Sequence, residues 1–448
     1  MIPASWRVGE VAVVGLARTG SAAGRWLLAQ GVRVYASDSA DTPAVRAAAE
    51  TLAGLGAAVD VGRHDLPRIG RAAGVVVSPG VPPAAPPLAT ARTAGVQIVA
   101  ELDLAARALE RTRLIVVTGT NGKTTTTALI AHILTSAGVP AAAAGNIGRP
   151  LIELALDPQP PTWAAVEASS FQLHDAPHLS PAVGVVTNLA PDHLDRYASV
   201  DDYYADKRRL FANARDTSLW VLNADDPGVL ALAEGAAGRR RTFRTTGPAD
   251  AWYDVRAGSL MLDDTPLVDR EALPLLGDHN VANALAAVLA ATTAGATAAA
   301  AAGALCSFRA LPHRLEPVAE RDGVMWINDS KATNLASTAV GVRAMERPFV
   351  LILGGRHKGE PYTGLLPLLR ARCRGIVAYG EAAPLVVRDL SGAIAVTRTD
   401  TLAAAVAAAR GRARRGDAVL LSPACSSFDQ FANYEERGTA FRHLVEAP

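Results

Sequence analysis

Residues 113–134 read RLIVVTGTNGKTTTTALIAHIL, and this stretch decides the fold of the central part of the chain. It begins as a β-branched strand, passes through a Gly-rich loop and continues as an apolar helix. Loops of this kind are typical of phosphate binding, because their backbone N–H groups and the positive end of the helix dipole point at the same oxygen atoms. Lys123 adds a compact positive charge, and the Thr124 hydroxyl is placed to reach Mg²⁺. Val117 stands where the usual spacing has its first glycine, so the pattern indicates a shortened phosphate loop.

The composition is that of a globular protein with several domains that acts on small molecules. The 448 residues exceed the size of one ordinary core, and 50% of them are hydrophobic while 19% are charged. A formal net charge of +1 gives no electrostatic footprint for nucleic acid, so we expect small-molecule partners and a monomer. The three cysteines lie far apart without a CxxC spacing, which argues against a zinc site or a disulfide framework and favours a reducing, cytoplasmic location.

No part of the sequence indicates a membrane protein. The N-terminus lacks a basic region followed by an apolar stretch, so no signal peptide is predicted. The uncharged run 281–308 is long enough to cross a bilayer, but it consists mostly of Ala, Thr and Gly, with Gly295 near its middle. We therefore predict two short core helices there.

Three successive runs of strand and helix signals predict an α/β protein with three domains. The first run opens with EVAVVG, the turn GLARTG and the strand VRVYASD, which is a Rossmann-like βαβ pattern. The second contains the phosphate loop and the strands WAAVEAS, AVGVVTN and SLWVLNADD, as in a P-loop ATPase-type domain. A second Rossmann-like sheet is predicted from VMWIND, FVLILGG, GIVAYG and AVLLSPA. We place the domains at residues 1–106, 107–311 and 312–448.

Lysine is rare in this chain, which makes each lysine informative. Of the 44 Lys and Arg side chains only four are lysines, namely Lys123, Lys207, Lys331 and Lys358. Lys207 lies in YADKRRL beside two arginines, where arginine would serve equally well as a solvated charge. A buried lysine can lose its proton near neutral pH and then, as a neutral amine, take up CO₂ to form a carbamate that holds Mg²⁺. We predict this role for Lys207, although four lysines that fall in loops by chance would give the same pattern.

Glu167 and His193 are the other candidates for a metal site. Glu167 ends the strand in VEASSF and His193 follows a strand end in NLAPDHLDRY, so both belong at the edge of the sheet where ligands collect. Each residue alone is explained more simply as a capping carboxylate or a loop histidine. Together with a phosphate loop they become candidate ligands of the Mg²⁺ that accompanies ATP. The residues before the four lysines do not match the Asn-Lys-x-Asp signal for guanine, so ATP is the favoured nucleotide.

A further set of polar residues follows the strands of the third domain. It comprises Arg314 in LPHR, Asp329, Lys331 and Thr333 in NDSKATN, Lys358 in GGRHKG, and the segment SPACSSFDQFANYEERG. Both lysines fall in Gly-rich or polar stretches after a strand, where a compact and tunable charge is useful.

Taken in order, these motifs resemble the Mur ligase family. The resemblance rests on GTNGKTT, VEASSFQL, NLAPDHLDRY with Lys207 downstream, GDHN, LPHR, NDSKATN and SPACSSFDQF, and it covers all three domains. It implies an ATP-dependent ligase of the cytoplasmic stage of peptidoglycan synthesis, which forms an amide through an acyl phosphate. The implied substrates are UDP-MurNAc-L-Ala, D-glutamate and ATP. The implied cofactors are two Mg²⁺ ions and CO₂ as a lysine carbamate.

The resemblance also assigns roles to individual residues. The implied catalytic residues are Lys123, Lys207, His193 and Lys331, and the implied metal ligands are Thr124, Glu167, His193 and Lys207 as its carbamate. The implied ATP-binding set is Gly119, Thr120, Asn121, Gly122, Lys123, Thr124, Thr125, Asn280, Arg314, Asp329 and Lys331. The implied UDP-substrate set is Gly15, Leu16, Ala17, Arg18, Thr19, Gly20, Ser37, Asp38, Ser39, Ser78, Pro79, Gly80 and Asn146. The implied D-glutamate set is His193, Thr333, Lys358, Ser427, Phe428 and Tyr434.

Four positions depart from the pattern of the family. Ala17 stands where a dinucleotide-binding turn has glycine, and Ala168 replaces an aliphatic residue in the metal-strand motif. Phe428 and Tyr434 are expected to be variants in the amino-acid pocket. These departures bear on packing and affinity, not on the class of reaction.

Other functions were weighed against this one. A sibling ligase for diaminopimelate would carry Asp-Asn-Pro-Arg, which is absent, and folylpolyglutamate synthetase shares the shortened loop but not the N-terminal domain. A nicotinamide dehydrogenase is suggested by GLARTG with Asp38, but it leaves the phosphate loop and the third domain without a role. A non-catalytic nucleotide-dependent regulator would not need Glu167, His193 and Lys207 together.

Overall fold

Three separate β-sheets flanked by helices form the framework of this chain. The computed structural model describes residues 2–146, 148–192 and 196–447. The chain divides into two compact units, the first made of residues up to Leu273 together with Val281–Ser307, and the second of Pro274–Asn280 together with the residues from Phe308 onward. Two sheets lie in the first unit and one in the second. The predicted α/β class with three sheets is confirmed.

The first sheet consists of five parallel strands. They are β1 Glu10–Val14, β2 Arg33–Asp38, β3 Ala58–Val61, β4 Gly74–Val77 and β5 Ile98–Ala100. The helices of this part are α1 Ala4–Val8, α2 Arg18–Ala29, α3 Pro43–Gly54, α4 Leu66–Ile69, α5 Pro86–Thr93 and α6 Glu101–Ala108. The strand order is β3-β2-β1-β4-β5. Because the order reverses between β1 and β4, the loops after these two strands flank the crevice in which such sheets bind ligands.

The second sheet surrounds the strand that precedes the phosphate loop. Its strands are β6 Arg113–Thr118, β7 Ala141–Gly145, β8 Trp163–Glu167, β9 Val183–Val186, β10 Leu219–Asn223, β11 Arg239–Arg244, β12 Ala251–Asp254, β13 Ser259–Leu262 and β14 Thr265–Asp269. Its helices are α7 Lys123–Ser136, α8 Ser170–His174, α9 Val200–Arg208, α10 Pro227–Leu232, α11 Asp278–Thr293 and α12 Ala298–Ser307. The order is β14-β13-β12-β11-β10-β9-β6-β8-β7, with antiparallel pairing only in β12-β13-β14 among the described strands. β6 is paired with a parallel strand at each edge, and its buried run LIVVT is almost wholly apolar, as expected where helices cover both faces of a parallel sheet.

The third sheet forms the centre of the second unit. Its strands are β15 Glu316–Arg321, β16 Val324–Asn328, β17 Phe349–Gly354, β18 Cys373–Tyr379, β19 Val396–Arg398 and β20 Ala418–Leu421. Its helices are α13 Leu335–Arg343, α14 Leu366–Leu369, α15 Ala383–Leu390, α16 Leu402–Arg412 and α17 Tyr434–Glu446. The order is β15-β16-β20-β17-β18-β19, and only the β15-β16 hairpin is antiparallel among these strands. The carboxyl ends of β16, β20 and β17 therefore meet at one edge.

The long uncharged run folds as predicted into two helices, α11 and α12, with Gly295 between them at a φ of +112°. Within the described ranges no helix is long and apolar enough to cross a membrane. The run is uncharged because α11 is packed inside the protein, where almost every side chain from Val281 to Ala291 is buried.

A buried carboxylate connects α6 with the short helix Leu151–Leu156 between β7 and β8. Glu101 is 1% exposed, and its Oε1 accepts a hydrogen bond from the Ile152 backbone N–H at 2.5 Å. Its Oε2 has no hydrogen-bond partner among the described residues. Burial raises the pKa of Glu101 to about 7, which the backbone hydrogen bond from Ile152 only partly opposes. The folded chain therefore retains a proton that the unfolded chain releases near pH 4.5.

Substitution of Glu101 by Gln should change the pH dependence of stability. A raised carboxyl pKa means that the folded state binds more protons than the unfolded state, so the stability contributed by Glu101 falls as pH rises from about 4.5 to about 7. The free energy of unfolding of Glu101→Gln should therefore increase relative to that of the parent protein as the pH rises from 4.5 to 8, by up to about 3 kcal/mol. Urea unfolding at both pH values measures this change.

The matched control is Glu50→Gln on the outer face of α3, where the side chain is exposed. Its stability relative to the parent should not depend on pH. Equal pH profiles for Glu101→Gln and the parent protein would contradict the assignment.

Candidate active site

The phosphate loop between β6 and α7 requires glycine at two positions. Gly119 and Gly122 have φ angles of +135° and +83°, which lie in the region that favours glycine. A Cβ atom at Gly119 would lie 2.1 Å from Thr187 Oγ1, and one at Gly122 would lie 2.2 Å from Asn283 Oδ1. The two glycines therefore allow the loop to approach its neighbours closely.

The loop that follows β9 fixes the phosphate loop from one side. The Asn121 N–H donates to Asn188 Oδ1 at 2.9 Å, and the Thr120 N–H donates to the Asn188 carbonyl at 2.8 Å. Thr187 Oγ1 donates to the Asn121 carbonyl at 2.6 Å. The backbone of the phosphate loop is thus held in shape by protein groups and does not depend on a ligand for its conformation.

Two lysine side chains converge on one carbonyl of this loop. Lys207 Nζ donates to the Gly119 carbonyl at 2.7 Å, and Lys123 Nζ donates to the same oxygen at 3.0 Å. Lys207 lies in α9, is 1% exposed, and has its ammonium 4.5 Å from the ring centroid of Tyr203. Burial holds the pKa of Lys207 well below its usual range, and the nearby charge of Lys123 lowers it further. The amine at 207 is therefore buried and biased toward its neutral form.

A carboxylate with an unpaired oxygen lies on the strand next to the phosphate loop. Glu167 ends β8, where it pairs in register with Val117 of β6 and with Gly145 of β7. It is 3% exposed, and its Oε1 accepts a hydrogen bond from Asn146 Nδ2 at 3.2 Å. Its Oε2 is buried and has no partner within the described part of the chain. Such an oxygen, together with the Thr124 hydroxyl in the first turn of α7, fits the hard-donor preference of Mg²⁺.

His193 lies outside the described residues, so its predicted roles in metal and amino-acid binding stay predictions. Among residues 2–146, 148–192 and 196–447, no group of three or more His, Cys, Asp or Glu side chains is arranged to hold a metal ion.

In the first sheet, the loop after β1 and the loop after β4 also approach each other closely. Gly15, at a φ of +89°, would place a Cβ atom 2.9 Å from Ser78 Cβ, and Ser78 Oγ donates to the Gly15 carbonyl at 2.8 Å. Asp38 Oδ2 accepts a hydrogen bond from the Leu16 N–H at 2.7 Å, which fixes the turn after β1. Of the other predicted UDP-substrate residues of the first sheet, Ser37 lies in β2 and Ser39 directly follows that strand. The rest lie in the loops after β1 and β4 or at the start of α2, namely Ala17, Arg18, Thr19, Gly20, Pro79 and Gly80.

Arg18, at the start of α2, contacts the loop that follows β7 of the second sheet. Arg18 donates to the carbonyl of Gly148, and Gly148 lies two residues after Asn146, the remaining member of the predicted UDP-substrate set. A pocket of about 210 Å³ opens nearby, between the loop 78–80 and helix α8. Its lining includes Ser78, Pro79, Phe171 and Arg196, so two predicted substrate residues border an open space.

In the second unit, the predicted ATP-binding residue Asp329 is a buried acid. It is 8% exposed, its Oδ2 accepts from Ser422 Oγ at 2.8 Å, and its Oδ1 accepts from the Leu315 N–H at 3.3 Å. Burial raises the pKa of Asp329 to about 7, while these hydrogen bonds and the charge of Arg314 oppose the shift. A Cβ atom at Gly341 would lie 2.8 Å from Asp329 Oδ2, so the packing of α13 around this acid requires glycine.

The predicted residues Lys331 and Tyr434 contact each other directly. Lys331 Nζ donates to Tyr434 Oη at 3.0 Å and lies 4.9 Å from the centroid of the tyrosine ring. The Lys331 backbone N–H donates to the His313 carbonyl at 3.1 Å. The variant tyrosine at 434 therefore offers its hydroxyl to the lysine of the NDSKATN motif.

The remaining predicted residues of the second unit lie in different loops and at the start of α11. Asn280, near the start of α11, donates from Nδ2 to the Leu276 carbonyl at 2.8 Å. Thr333 is half-buried and follows the turn after Lys331, Lys358 is exposed after β17, Ser427 is buried after β20, and Phe428 is 62% exposed.

Sequence reasoning missed several residues that hold the site together. Arg437 in α17 is fully buried and donates to the Ser330 side chain at 2.9 Å, to the Ser330 carbonyl at 2.7 Å and to the Cys425 carbonyl at 3.1 Å. It thereby joins the NDSKATN and SPACSS loops. In a chain rich in arginine, no sequence signal marks it. Asn283 was also missed, although its position one helical turn after Asn280 is a recognisable signal.

Family models match all three parts of the chain. The model described as "Mur ligase MurD-like, N-terminal domain" matches residues 9–100. The model "Mur ligase middle domain" matches residues 117–291, and "Mur ligase, glutamate ligase domain" matches residues 313–425.

Curated relatives match over nearly the full length. The chain is 41% identical over 444 residues to a protein of Acidobacterium capsulatum, covering 98% of this chain and 96% of the relative. It is 42% identical to a protein of Gloeobacter violaceus, with 98% and 99% covered, and 41% identical to one of Myxococcus xanthus, with 98% of each covered. All three relatives are named UDP-N-acetylmuramoylalanine--D-glutamate ligase.

Two solved structures from Thermotoga maritima share the fold. The UDP-N-acetylmuramate-alanine ligase MurC has a TM-score of 0.64 at 20% identity, with 98% of this chain and 99% of that chain covered. The MurF ligase in complex with ADP has a TM-score of 0.63 at 15% identity, with 99% of each chain covered.

Substitution of Gly122 by Ala should weaken nucleotide binding. The added Cβ atom would meet Asn283 Oδ1 at 2.2 Å and would stand at a φ of +83°, so the loop must shift. We expect the affinity for ATP to fall about tenfold or more, with a loss of stability of about 1–3 kcal/mol. Calorimetric titration and urea unfolding measure the two effects.

The matched control is Gly138→Ala at the other end of α7. Gly138 has a similar φ of +75° but no atom within 4 Å of the added Cβ. It should lose about 1 kcal/mol of stability and retain its nucleotide affinity. Equal ATP affinity in both variants would show that the loop tolerates a side chain at 122.

Proposed function

Because this chain belongs to the Mur ligase family, we propose that it joins D-glutamate to UDP-N-acetylmuramoyl-L-alanine and converts ATP to ADP and phosphate. The reaction is a step of peptidoglycan precursor synthesis. Identity of about 40% over nearly the full length to several ligases named for D-glutamate supports this substrate over those of the sibling ligases.

Activation of a carboxylate explains why the reaction needs ATP. A carboxylate is a poor electrophile, and amide formation in water is unfavourable. The terminal carboxylate of the UDP substrate takes the γ-phosphoryl group of ATP, and ADP leaves. The amine of D-glutamate then attacks the acyl phosphate, and a tetrahedral intermediate collapses to the amide with release of phosphate and a proton. Positive groups around the transferred phosphoryl group stabilise the charge that develops.

We assign one substrate to each of the three predicted domains. Residues 1–106 would bind the UDP moiety, 107–311 ATP, and 312–448 the amino acid. Each of the three family matches, at residues 9–100, 117–291 and 313–425, falls within one of these ranges. The first-sheet loops with Gly15, Asp38 and Ser78 support a UDP site, because they lie at the point where the strand order reverses.

The phosphate loop and Lys123 would hold the phosphates of ATP, with Thr124 and Thr125 in the first turn of α7. By resemblance to the family, Asn280, Arg314, Asp329 and Lys331 are further proposed nucleotide-binding residues. For D-glutamate, we propose Thr333, Lys358, Ser427, Phe428 and Tyr434, with His193. A cation and hydroxyl groups are natural partners for its two carboxylates.

Lys207 carries the catalytic part of the proposal. Its amine is buried against the phosphate loop, where burial and Lys123 both favour the neutral form. A neutral amine reacts with CO₂ to form a carbamate and release a proton. The carbamate places a negative charge beside Lys123, where the ammonium form of Lys207 would place a positive one. The anionic oxygens would join Glu167, Thr124 and His193 as ligands for two Mg²⁺ ions, which lower the repulsion between ATP and the acceptor carboxylate when bound.

We further propose that the protein acts as a monomer in the cytoplasm. The dispersed cysteines support the cytoplasmic location, as does the cytoplasmic origin of its proposed nucleotide substrates.

The proposed function is tested by phosphate release with UDP-MurNAc-L-Ala, ATP and Mg²⁺. D-glutamate should support release, and L-glutamate, L-alanine and diaminopimelate should not. Release with one of the last three alone would reassign the substrate. Mass spectrometry of the nucleotide product should show the addition of one glutamyl residue.

Lys207→Arg should abolish turnover while ATP binding is largely retained. Arginine keeps the positive charge but cannot form a carbamate. Lys207→Ala should also be inactive, and small carboxylates such as acetate should partly restore its activity by supplying anionic oxygen in the vacated space. Full activity of the arginine variant would refute the carbamate. ATP affinity measured by calorimetry separates loss of chemistry from loss of binding.

A further inference from the structure

Two loops at the carboxyl edge of the third sheet approach each other closely. The first is residues 354–360 after β17, which we call the glycine loop, and the second is residues 422–428 after β20, which we call the serine loop. Because β17 and β20 are adjacent and parallel, both loops leave the sheet at the same edge. The glycine loop carries Lys358, and the serine loop carries Ser427.

The backbones of the two loops are joined by a short bridge. The Arg356 N–H donates to the Ser426 carbonyl at 2.9 Å, and the Ser426 N–H donates to the Arg356 carbonyl at 3.1 Å. Gly355 makes this approach possible, because a Cβ atom there would lie 2.2 Å from the Ser426 carbonyl. The bridge fixes the distance between the loops only at the pair Arg356 and Ser426. The neighbouring residues of the two loops are positioned by other contacts.

A buried tyrosine hydroxyl supplies a second connection between the same loops. Tyr362 Oη lies 3.1 Å from His357 Nδ1 of the glycine loop and 2.9 Å from Cys425 Sγ of the serine loop. Tyr362 is 1% exposed and Cys425 is fully buried. A hydroxyl group both donates and accepts, so it satisfies either tautomer of the histidine with the thiol as the other partner.

The rest of the Tyr362 residue is anchored independently of this hydroxyl. Its ring packs in the apolar core of the second unit, and its backbone N–H donates to Asp389 Oδ2 at 3.0 Å. Removal of the hydroxyl alone therefore leaves the fold of residues 362–365 supported, and cuts only the side-chain connection between the loops.

We propose that Tyr362 is a positioning residue for D-glutamate, which sets the geometry of Lys358 and Ser427 through His357 and Cys425. The inference rests on the proposed function. Lys358 directly follows His357, and Ser427 lies two residues after Cys425. A substrate with two carboxylates gains most from a cation and a hydroxyl that are held at a fixed separation before it binds.

The position of Tyr362 also indicates which substrate it affects. Its side-chain contacts go to the two loops assigned to the amino acid and to none of the residues assigned to ATP among the described contacts. We therefore expect the effect to appear in the KM for D-glutamate and not in the KM for ATP.

The experiment compares Tyr362→Phe with the parent enzyme in the phosphate-release assay. The KM for D-glutamate should rise on the order of tenfold, as expected for the loss of hydrogen bonds to one buried hydroxyl. The KM values for ATP and UDP-MurNAc-L-Ala, and kcat, should stay within about twofold of the parent values. Tyr379→Phe is the matched control, because Tyr379 is also a fully buried tyrosine of this sheet, but the hydrogen bonds to His357 and Cys425 come from Tyr362 and not from the Tyr379 hydroxyl. It should leave the KM for D-glutamate unchanged.

A pair of substitutions at His357 tests the same connection from the half-exposed side. In His357→Asn a hydrogen-bonding atom remains at the place of Nδ1, since both side chains branch at Cγ. In His357→Leu this atom is lost. The asparagine variant should keep a KM for D-glutamate near that of the parent, and the leucine variant should resemble Tyr362→Phe.

The outcomes separate this inference from the proposed function. If the parent enzyme releases no phosphate with D-glutamate, the proposed function is wrong and the inference falls with it. If the parent is active but Tyr362→Phe and His357→Leu keep its KM for D-glutamate, only the inference is overturned. An equal rise in all three KM values would also overturn it, because a general loss of structure does not single out one substrate. Should Tyr362→Phe fail to fold, the histidine pair decides.

Discussion

The carbonyl oxygen of Gly119 receives the side chains of two lysines, and the chemistry of the first unit depends on this shared contact. Both Lys123 and Lys207 donate to it, so two amines lie within two hydrogen-bond lengths of each other. Two full positive charges this close, one of them buried, repel each other strongly. The conflict is relieved if Lys207 becomes neutral or is converted to an anion. Burial is the main cause of the lowered pKa of Lys207 and the charge of Lys123 adds to it, while the proposed carbamate would replace the repulsion by attraction.

The phosphate loop that contains Gly119 is packed closely against its neighbours. Gly119 and Gly122 approach Thr187 and Asn283 at distances that exclude any side chain. Asn188 accepts hydrogen bonds from the Asn121 and Thr120 N–H groups, so the loop keeps its shape without a nucleotide. Glu167 adds a buried oxygen without a protein partner in the described structure. A protein tolerates such a group where a cation or a ligand is to compensate it.

In the second unit, buried polar side chains also hold loops together. Arg437 donates hydrogen bonds to the backbone carbonyls of Ser330 and Cys425, and the Tyr362 hydroxyl connects the glycine loop with the serine loop. These groups are satisfied by hydrogen bonds in a dry environment, where each contact is strong and its loss is costly. The loops that carry Lys331, Lys358 and Ser427 are thus placed by residues that do not themselves have to touch a substrate.

Much of this protein was already determined by its sequence. Strand and helix periods gave the α/β class and its three sheets, because burial on both faces leaves continuous apolar strands and a phosphate loop has a local pattern. The rarity of lysine pointed to Lys207, and the order of the motifs pointed to the family. These features are local, or depend on composition alone.

Only the tertiary structure decided how distant residues share a site. The meeting of Lys123 and Lys207 at one oxygen, the unpaired Oε2 of Glu167 and the clamp formed by Arg437 join segments far apart in the chain. In an arginine-rich chain, the sequence around Arg437 does not indicate that this arginine is buried. Nor does the sequence around Tyr362 indicate which loops its hydroxyl contacts. Burial and hydrogen-bond partners arise from strand order and packing, which bring together residues whose spacing in the sequence holds no information about their distance in space.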